Sequence, residues 1–288
     1  MKILLTGSGG QLGHELQRSL APIGELIACD RHRFDLANID QMRHVLRTEQ
    51  PDVIINSAAW TAVDKAETEV AAAYVINADA PRVMAEEAAS LGARLIHFST
   101  DYVFNGHKST PYVETDECAP LSAYGRSKRA GELNILASSA KAIILRTSWV
   151  YGAHGANFMK TMLRLGKERD ELSVVDDQFG APTWTRHLAD ATAMLLTTHP
   201  NATGIYHLTA TGETNWHDYA EAIFAEALEL HLLQKVPQVR RIASTNYPLP
   251  APRPTNSRLD CGRFTRDFGL TLPDWRVGLA DCLTDANL

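Results

Sequence analysis

The chain has 288 residues, 45% of them hydrophobic and 22% charged, with a formal net charge of -6. At roughly 150 residues per domain, that length implies about two domains with a core large enough to need no staples, and the composition argues against a disordered chain. The acidic balance and the lack of any Lys/Arg block argue against a polynucleotide partner, and no run of 18 apolar residues suggests a membrane span.

In chain order, Lys2 to Thr6 reads as a buried strand and Gln11 to Leu20 as a helix with Leu12, Leu16 and Leu20 on one stripe. Leu26 to Cys29 is a second strand, Ile39 to Thr48 a helix, and Val53 to Asn56 a third strand. An Ala-rich helical stretch runs from about Thr68 to Leu91, followed by strands at Arg94 to Phe98 and Ala142 to Leu145. Strands alternating with helices imply an α/β fold with a doubly wound parallel sheet covered on both faces. After Arg146 the rhythm loosens, which divides the chain into a sheet domain, 1–146, and a smaller C-terminal lobe, 147–288. Within that lobe, strands are predicted near Leu172 to Val175 and Ile205 to Leu208, both returning to the main sheet. Helices are predicted near Phe158 to Lys167 and Trp216 to Leu230, and the prolines from Pro237 to Pro254 predict a loop.

The cysteines, Cys29, Cys118, Cys261 and Cys282, are far apart and form no CxxC, so they read as reduced thiols of a cytoplasmic protein. The apolar run after Met1 is too short for a signal peptide. The histidines show no HExxH or other ligand spacing, so no catalytic metal is expected.

The first strand runs directly into Gly7-Ser8-Gly9-Gly10-Gln11-Leu12-Gly13. A GxGxxG reading fails at Leu12, but GxxGxxG fits with Gly7 in a tight turn, Gly10 admitting a pyrophosphate and Gly13 packing helix on sheet. At the first strand-to-helix turn this pattern predicts a bound dinucleotide. Asp30 ends the second strand, 17 residues beyond Gly13, where an acid accepts from an adenosine ribose. Arg31 and Arg33 either pair with a 2′-phosphate or are solvated. Asp35, in Phe34-Asp35-Leu36, either borders the adenine or caps the next helix.

Tyr124-Gly125-Arg126-Ser127-Lys128 is a YxxxK, with phenol and ammonium on one helix face. An ammonium beside a phenol favours its ionised form and tunes it for proton transfer. The fourth strand leads into Ser99-Thr100-Asp101-Tyr102, which puts Thr100 at a carboxyl edge. Its hydroxyl either holds a carbonyl oxygen beside the phenol or closes a turn.

With the glycine loop, Thr100 and YxxxK in this order, the chain resembles the extended short-chain dehydrogenase/reductases. Within them it looks like the dTDP-4-dehydrorhamnose reductase family over nearly its whole length. The segments that carry the narrower likeness are 56–67, 99–104, Arg146-Thr147-Ser148-Trp149-Val150-Tyr151, Asp177 to Thr183, and Arg253 to Leu259. The resemblance implies reduction of the 4-keto group of dTDP-4-dehydro-beta-L-rhamnose by NADPH or NADH, giving dTDP-L-rhamnose. It implies that Tyr124 donates the proton, that Lys128 binds the nicotinamide ribose and lowers the tyrosine pKa, and that Thr100 orients the carbonyl. It places the cofactor against Gly10, Gln11, Leu12, Asp30, Asp35 and Leu36, and also against Ala59, Trp60, Thr61, Phe98, Tyr124 and Lys128. It sets Thr100, Asp101 and Trp149 against the sugar. Trp60 stands where the family commonly carries His, an exchange expected to alter packing rather than chemistry. Gln178, Pro182, Arg253 and Asn256 either hold the nucleotide part of the substrate or serve turns and packing.

Some members of the family pair as magnesium-linked dimers. The sequence shows no carboxylate cluster that establishes this, and Glu15, the acid that could contribute, reads as a solvated first-helix residue. Two rival readings are a dehydratase or epimerase on the same fold, and a non-catalytic subunit resembling the regulatory subunit of methionine adenosyltransferase. Dehydratases of the superfamily carry Asp-Glu after the threonine, whereas here Thr100-Asp101 is followed by Tyr102. The intact Tyr124 and Lys128 favour an enzyme.

Overall fold

Short apolar runs that end in a glycine or polar turn become buried parallel strands, because helices cover both of their faces. In the computed structural model, which describes residues 1–285, these are β1 (Lys2–Thr6), β2 (Glu25–Cys29), β3 (Val53–Asn56), β4 (Arg94–Thr100) and β5 (Lys141–Thr147). The second half adds β6 (Val150–Tyr151), β7 (Glu171–Val175), β8 (Phe179–Gly180), β9 (Thr183–Trp184), β10 (Gly204–His207), β11 (Thr214–Asn215) and β12 (Gln238–Ile242). The helices of the first half are α1 (Gln11–Leu20), α2 (Ile39–Glu49), α3 (Val63–Ala66), α4 (Val70–Tyr74), α5 (Ala80–Leu91) and α6 (Ala123–Leu136). Those of the second are α7 (Phe158–Glu168), α8 (Thr185–Thr198), α9 (Trp216–Glu229), α10 (Gly262–Phe268) and α11 (Trp275–Asp285).

The main sheet has six strands in the order β10-β5-β4-β3-β1-β2, and every neighbouring pair is parallel. The strand order reverses beside β1, so the crevice above the carboxyl ends of β1 and β3 is the switch point where doubly wound sheets bind ligands. On one face Leu5, Leu16, Leu188 and Phe264 form a core with α1, α8 and α10. On the other, Leu4, Ile54, Met42, Val83 and Met84 pack beneath α2 and α5. Each such side chain contributes about 1.5–3 kcal/mol when fully buried. A third core in the second lobe joins Met159, Leu172, Tyr219, Phe224 and Trp275.

The expected helical stretch from Thr68 to Leu91 contains a single π-helical turn, Val75–Asp79, between α4 and α5. β10 returns to the main sheet beside β5, as the sequence predicts. The strand predicted near Leu172 to Val175 does not: as β7 it pairs in parallel with β12, forming a separate two-stranded sheet. β12 itself lies inside the stretch read as loop between Pro237 and Pro254. It escapes the proline signal because every proline of the stretch lies outside its five residues. The second half also supplies α8 and α10 to the core of the main sheet, so the layers do not divide cleanly at residue 146. Among the described residues, no helix is long and apolar enough to cross a membrane.

Candidate active site

Gly7 leaves β1 with φ +70°, a left-handed conformation that disfavours any side chain. Gly13 is required by contact: a Cβ there would lie 2.0 Å from the Gly7 carbonyl oxygen. Gly10 caps α1 without any side-chain hydrogen bond, and the first turn carries no acid. The first-turn N–H groups are therefore free to receive a phosphate, helped by the helix dipole. The side chains of Leu12 and Leu36 are buried in the two cores, so only their main chains can meet a ligand. The segment after β6 lies across this loop. Asn157 donates to Gln11 Oε1 at 2.8 Å, His154 stacks on His14 at 4.5 Å, and its Nε2 lies 3.1 Å from the Gly9 carbonyl oxygen. Sequence reasoning missed these contacts, whose partners lie some 145 residues apart.

Tyr124 and Lys128 stand one turn apart on α6, both buried. Ser122 caps that helix by accepting from Gly125 N. The Tyr124 ring packs with Ala66, Ala73, Ala123 and the half-buried Trp60, and meets Tyr102 edge-on at 5.5 Å. Burial raises the Tyr124 phenol well above its ordinary pKa, partly offset by Thr100 and reinforced by Asp101. Lys128 Nζ donates to the Phe98 carbonyl oxygen at 2.7 Å and lies 3.3 Å from His97 Nε2. With its pKa raised, Tyr124 keeps its proton near pH 7. Burial brings Lys128 down to about 8, with Glu132 opposing the shift.

Thr100 does close a turn: its hydroxyl accepts from Tyr102 N at 3.2 Å and donates to Asp101 Oδ1 at 3.0 Å. Asp101 is pushed up to about 6 by burial, with Ser257 and Thr100 opposing the shift. Asp101 Oδ2 and Thr147 Oγ1 are buried without a partner. Thr147 is the register neighbour of Thr100 on β5, so the edge beside the phenol holds unspent polar capacity that a hydroxylated ligand would satisfy. Beyond β5, Trp149 has φ +49° and stacks on Trp216 at 3.6 Å. Trp216 is half-buried and packed against the second-lobe core, and its Nε1 donates to Gln178 at 3.2 Å.

Two further residues arrange the site. Asn77, in the π-helical turn, accepts from Trp60 N at 2.8 Å and donates to Trp60 O at 3.0 Å and to Ser127 Oγ at 3.0 Å. It fixes Ala59-Trp60-Thr61 against α6, and a polar residue in an otherwise apolar helix face is the signal that finds it. Arg253 grips Asp64 with both terminal nitrogens, at 2.7 and 2.8 Å, and ties the C-terminal segment to α3. Asn256 donates to the carbonyls of Lys108 and Thr110, a structural use.

The family model described as "RmlD substrate binding domain" matches residues 1–288. The dTDP-4-dehydrorhamnose reductase of Shigella flexneri is 48% identical over 99% of this chain and 98% of its own length. That of Burkholderia thailandensis is 44% identical over 99% of both chains. The chain belongs to the dTDP-4-dehydrorhamnose reductase family. Among solved structures, the reductase of Bacillus anthracis in complex with NADP superposes with a TM-score of 0.93 at 38% identity, covering 99% of this chain and all of that one. The Clostridium acetobutylicum reductase gives 0.94 at 38% identity and covers all of both chains.

The segment after β2, read in the sequence as the adenosine end of the site, carries few fixed charges in this reductase family member. Asp30 is exposed and accepts from the His32 and Arg33 amides at 3.0 Å, which lower its pKa. Arg33 is tied to Glu49 at 2.7 Å, while Arg31 is exposed and only 3.7 Å from Asp35. Asp35 accepts from Ala37 N at 3.0 Å and so serves the turn before α2. Glu15 is not solvated. It is buried and paired with Arg18 at 3.3 Å and Arg186 at 3.0 Å. Its carboxylate is already neutralised by two guanidiniums and does not fit a magnesium contact as placed.

Proposed function

We propose that Thr100, Tyr124 and Lys128 form the site at which this reductase converts dTDP-4-dehydro-beta-L-rhamnose to dTDP-L-rhamnose with NADPH or NADH. The observation that carries the reading is a buried, un-ionised Tyr124 beside Thr100 at the carboxyl edge of β4, opposite a glycine loop with free helix amides. When bound, the reduced nicotinamide supplies the hydride for the sugar C4. Gly10, Gln11 and the first turn of α1 receive the pyrophosphate, and the Asn77-clamped segment Ala59-Trp60-Thr61 lines the same groove with Phe98. Lys128 holds the nicotinamide ribose from below. Thr100 turns its hydroxyl from Asp101 to the carbonyl oxygen and orients it, and Tyr124 gives its proton to that oxygen as charge develops. Asp101 and Trp149 meet the sugar, the first through its unpartnered Oδ2. The division into a cofactor domain and a substrate lobe is functional in this reading, with Trp149, Trp216 and Gln178 on the substrate side. A homodimer rests on the family resemblance alone, and mass in solution is its check.

The reaction is tested by following loss of reduced cofactor with dTDP-4-dehydrorhamnose generated in place. Absence of turnover would refute the reading. Supplied instead with dTDP-glucose and oxidised cofactor, the protein is expected to form no 4-keto-6-deoxy product. Tyr102 stands where dehydratases carry Glu, and burial raises its phenol above the ordinary value. A dehydration product on chromatography would make the reaction a different one.

Cofactor choice turns on Arg31. Asp30 favours a free 2′-hydroxyl, and Arg31 offsets its repulsion of a 2′-phosphate. For exposed charges each effect is about 1 kcal/mol, so discrimination stays near tenfold. Arg31→Ala is expected to lower kcat/KM for NADPH roughly fivefold and leave NADH nearly unchanged, whereas Arg33→Ala, already spent on Glu49, should do little. An unchanged NADPH/NADH ratio in Arg31→Ala would show that Arg31 is only a solvated loop residue.

A further inference from the structure

A polar string joins Lys128 to three buried residues that the sequence reading gave no role. Thr6 on β1, Asn56 on β3, His97 on β4 and Lys128 on α6 are all buried. Thr6 Oγ1 lies 2.8 Å from Asn56 Oδ1, the Asn56 Nδ2 lies 3.0 Å from His97 Nδ1, and His97 Nε2 lies 3.3 Å from Lys128 Nζ. The imidazole is thus enclosed between an amide and an amine.

The donors and acceptors of this string allow two self-consistent settings. With Asn56 Nδ2 toward the ring, Nδ1 accepts, Nε2 carries the proton, and Lys128 must be an uncharged amine to receive it. With the amide turned over, which exchanges oxygen and nitrogen within the same outline, Nδ1–H donates to Asn56 Oδ1, Asn56 Nδ2 donates to Thr6, and Nε2 accepts from an ammonium. A doubly protonated ring is excluded beside that ammonium, and burial together with Lys128 holds His97 far below its ordinary pKa. The other charged group acting on the pair is Glu132 on α6, which favours the ammonium and is itself bound by Arg146 and Arg129.

We propose that His97 is a positioning residue for Lys128, a neutral Nδ1–H imidazole that accepts one ammonium proton at Nε2, with Asn56 and Thr6 holding that tautomer. The Phe98 carbonyl takes a second proton, so the third is the one left for a ligand. The strand therefore fixes the direction in which the lysine offers its hydrogen bond. This inference rests on the reductase reading for its kinetic arm only.

The first test needs no turnover. Long-range proton–nitrogen spectra of histidine-labelled protein, alone and with NADPH, are recorded between pH 6.5 and 7.5, with the His97 signal assigned by its loss in His97→Gln. Protonated Nδ1 and unprotonated Nε2 are expected, and protonated Nε2 throughout would overturn the proposal. The second test is kinetic. Losing a charge-assisted acceptor destabilises the ammonium, so His97→Leu is expected to move the alkaline limb of kcat/KM down by about one to two pH units. His97→Gln, whose amide oxygen accepts, should restore much of that shift. A purely structural role would lower Tm and rate at every pH and leave the limb in place, which would overturn the proposal. If His97→Leu does not fold, the spectra and His97→Gln decide. If wild-type protein shows no reductase activity, the reaction reading fails while the spectra still judge the positioning role.

Discussion

Tyr124→Phe is expected to lower turnover by roughly 10²–10⁴-fold, the range for removing a positioned general acid. The substitution removes one oxygen and leaves the ring among Trp60, Ala66, Ala73 and Ala123, so Tm and cofactor affinity should barely move. The direction of the tyrosine shift adds a second expectation. A phenol raised by burial keeps its proton through neutrality, so Tyr124 does not limit the rate from the alkaline side near pH 8. Any alkaline fall there belongs to Lys128, brought down to about 8. The check is kcat at saturating substrate and cofactor for both proteins, alongside cofactor binding by fluorescence. Near-normal turnover in the variant would remove Tyr124 from its role.

Arg146→Met is expected to destabilise the protein by about 3–5 kcal/mol, the usual cost of leaving one partner of a buried ion pair behind. Arg146 grips Glu132 with Nε at 2.8 Å and Nη2 at 2.7 Å, and both side chains are essentially without solvent contact. Arg129 also reaches Glu132, from a partly exposed position, and compensates only in part. The pH dependence follows from the direction of the shift. In the wild type Glu132 is held below the ordinary carboxyl range through Arg146, against the opposing effect of burial. The stability it supplies is therefore present above about pH 4.3, the unperturbed carboxyl value, and is lost as pH falls through the lower folded value. Without Arg146, burial dominates and raises the carboxyl, so the deficit grows as pH climbs above that same unfolded value. Denaturant midpoints at pH 8 and pH 5 test this, with the larger loss expected at pH 8. The double variant Arg146→Met, Glu132→Leu should recover most of it. A loss as large in the double variant as in the single would show that the charge left behind is not the cause.

The parallel sheet was legible because strands covered on both faces read as unbroken apolar runs, and the glycine loop because its spacing serves backbone geometry alone. Tyr124 and Lys128 were legible as a helix-face pair. Their surroundings were not: Trp60, Ala66 and Ala73 enclose the phenol, and His97, 31 residues from Lys128, lies beside the lysine Nζ. Glu15 misled for the same reason, since its burial depends on Arg186, 171 residues on. β12 was hidden by its own character. Its Arg240 and Arg241 are exposed and its partner β7 lies more than sixty residues earlier, so neither an apolar run nor a local turn announces it.

The position of β10, α8 and α10 in the main sheet bears on the order in which the protein can be made. Synthesis proceeds from the N-terminus, yet the outer edge of β5 and the face over α1 are completed only by residues 185–207 and 262–268. A nascent chain that has emerged only as far as residue 146 presents an open strand edge and Leu5, Leu16, Ile143 and Leu145 without their α8 and α10 partners. Such a partial sheet can add strands from another chain as readily as from its own. Thr100, Tyr124 and Lys128 are all translated before β10, α8 and α10 are available to close that gap.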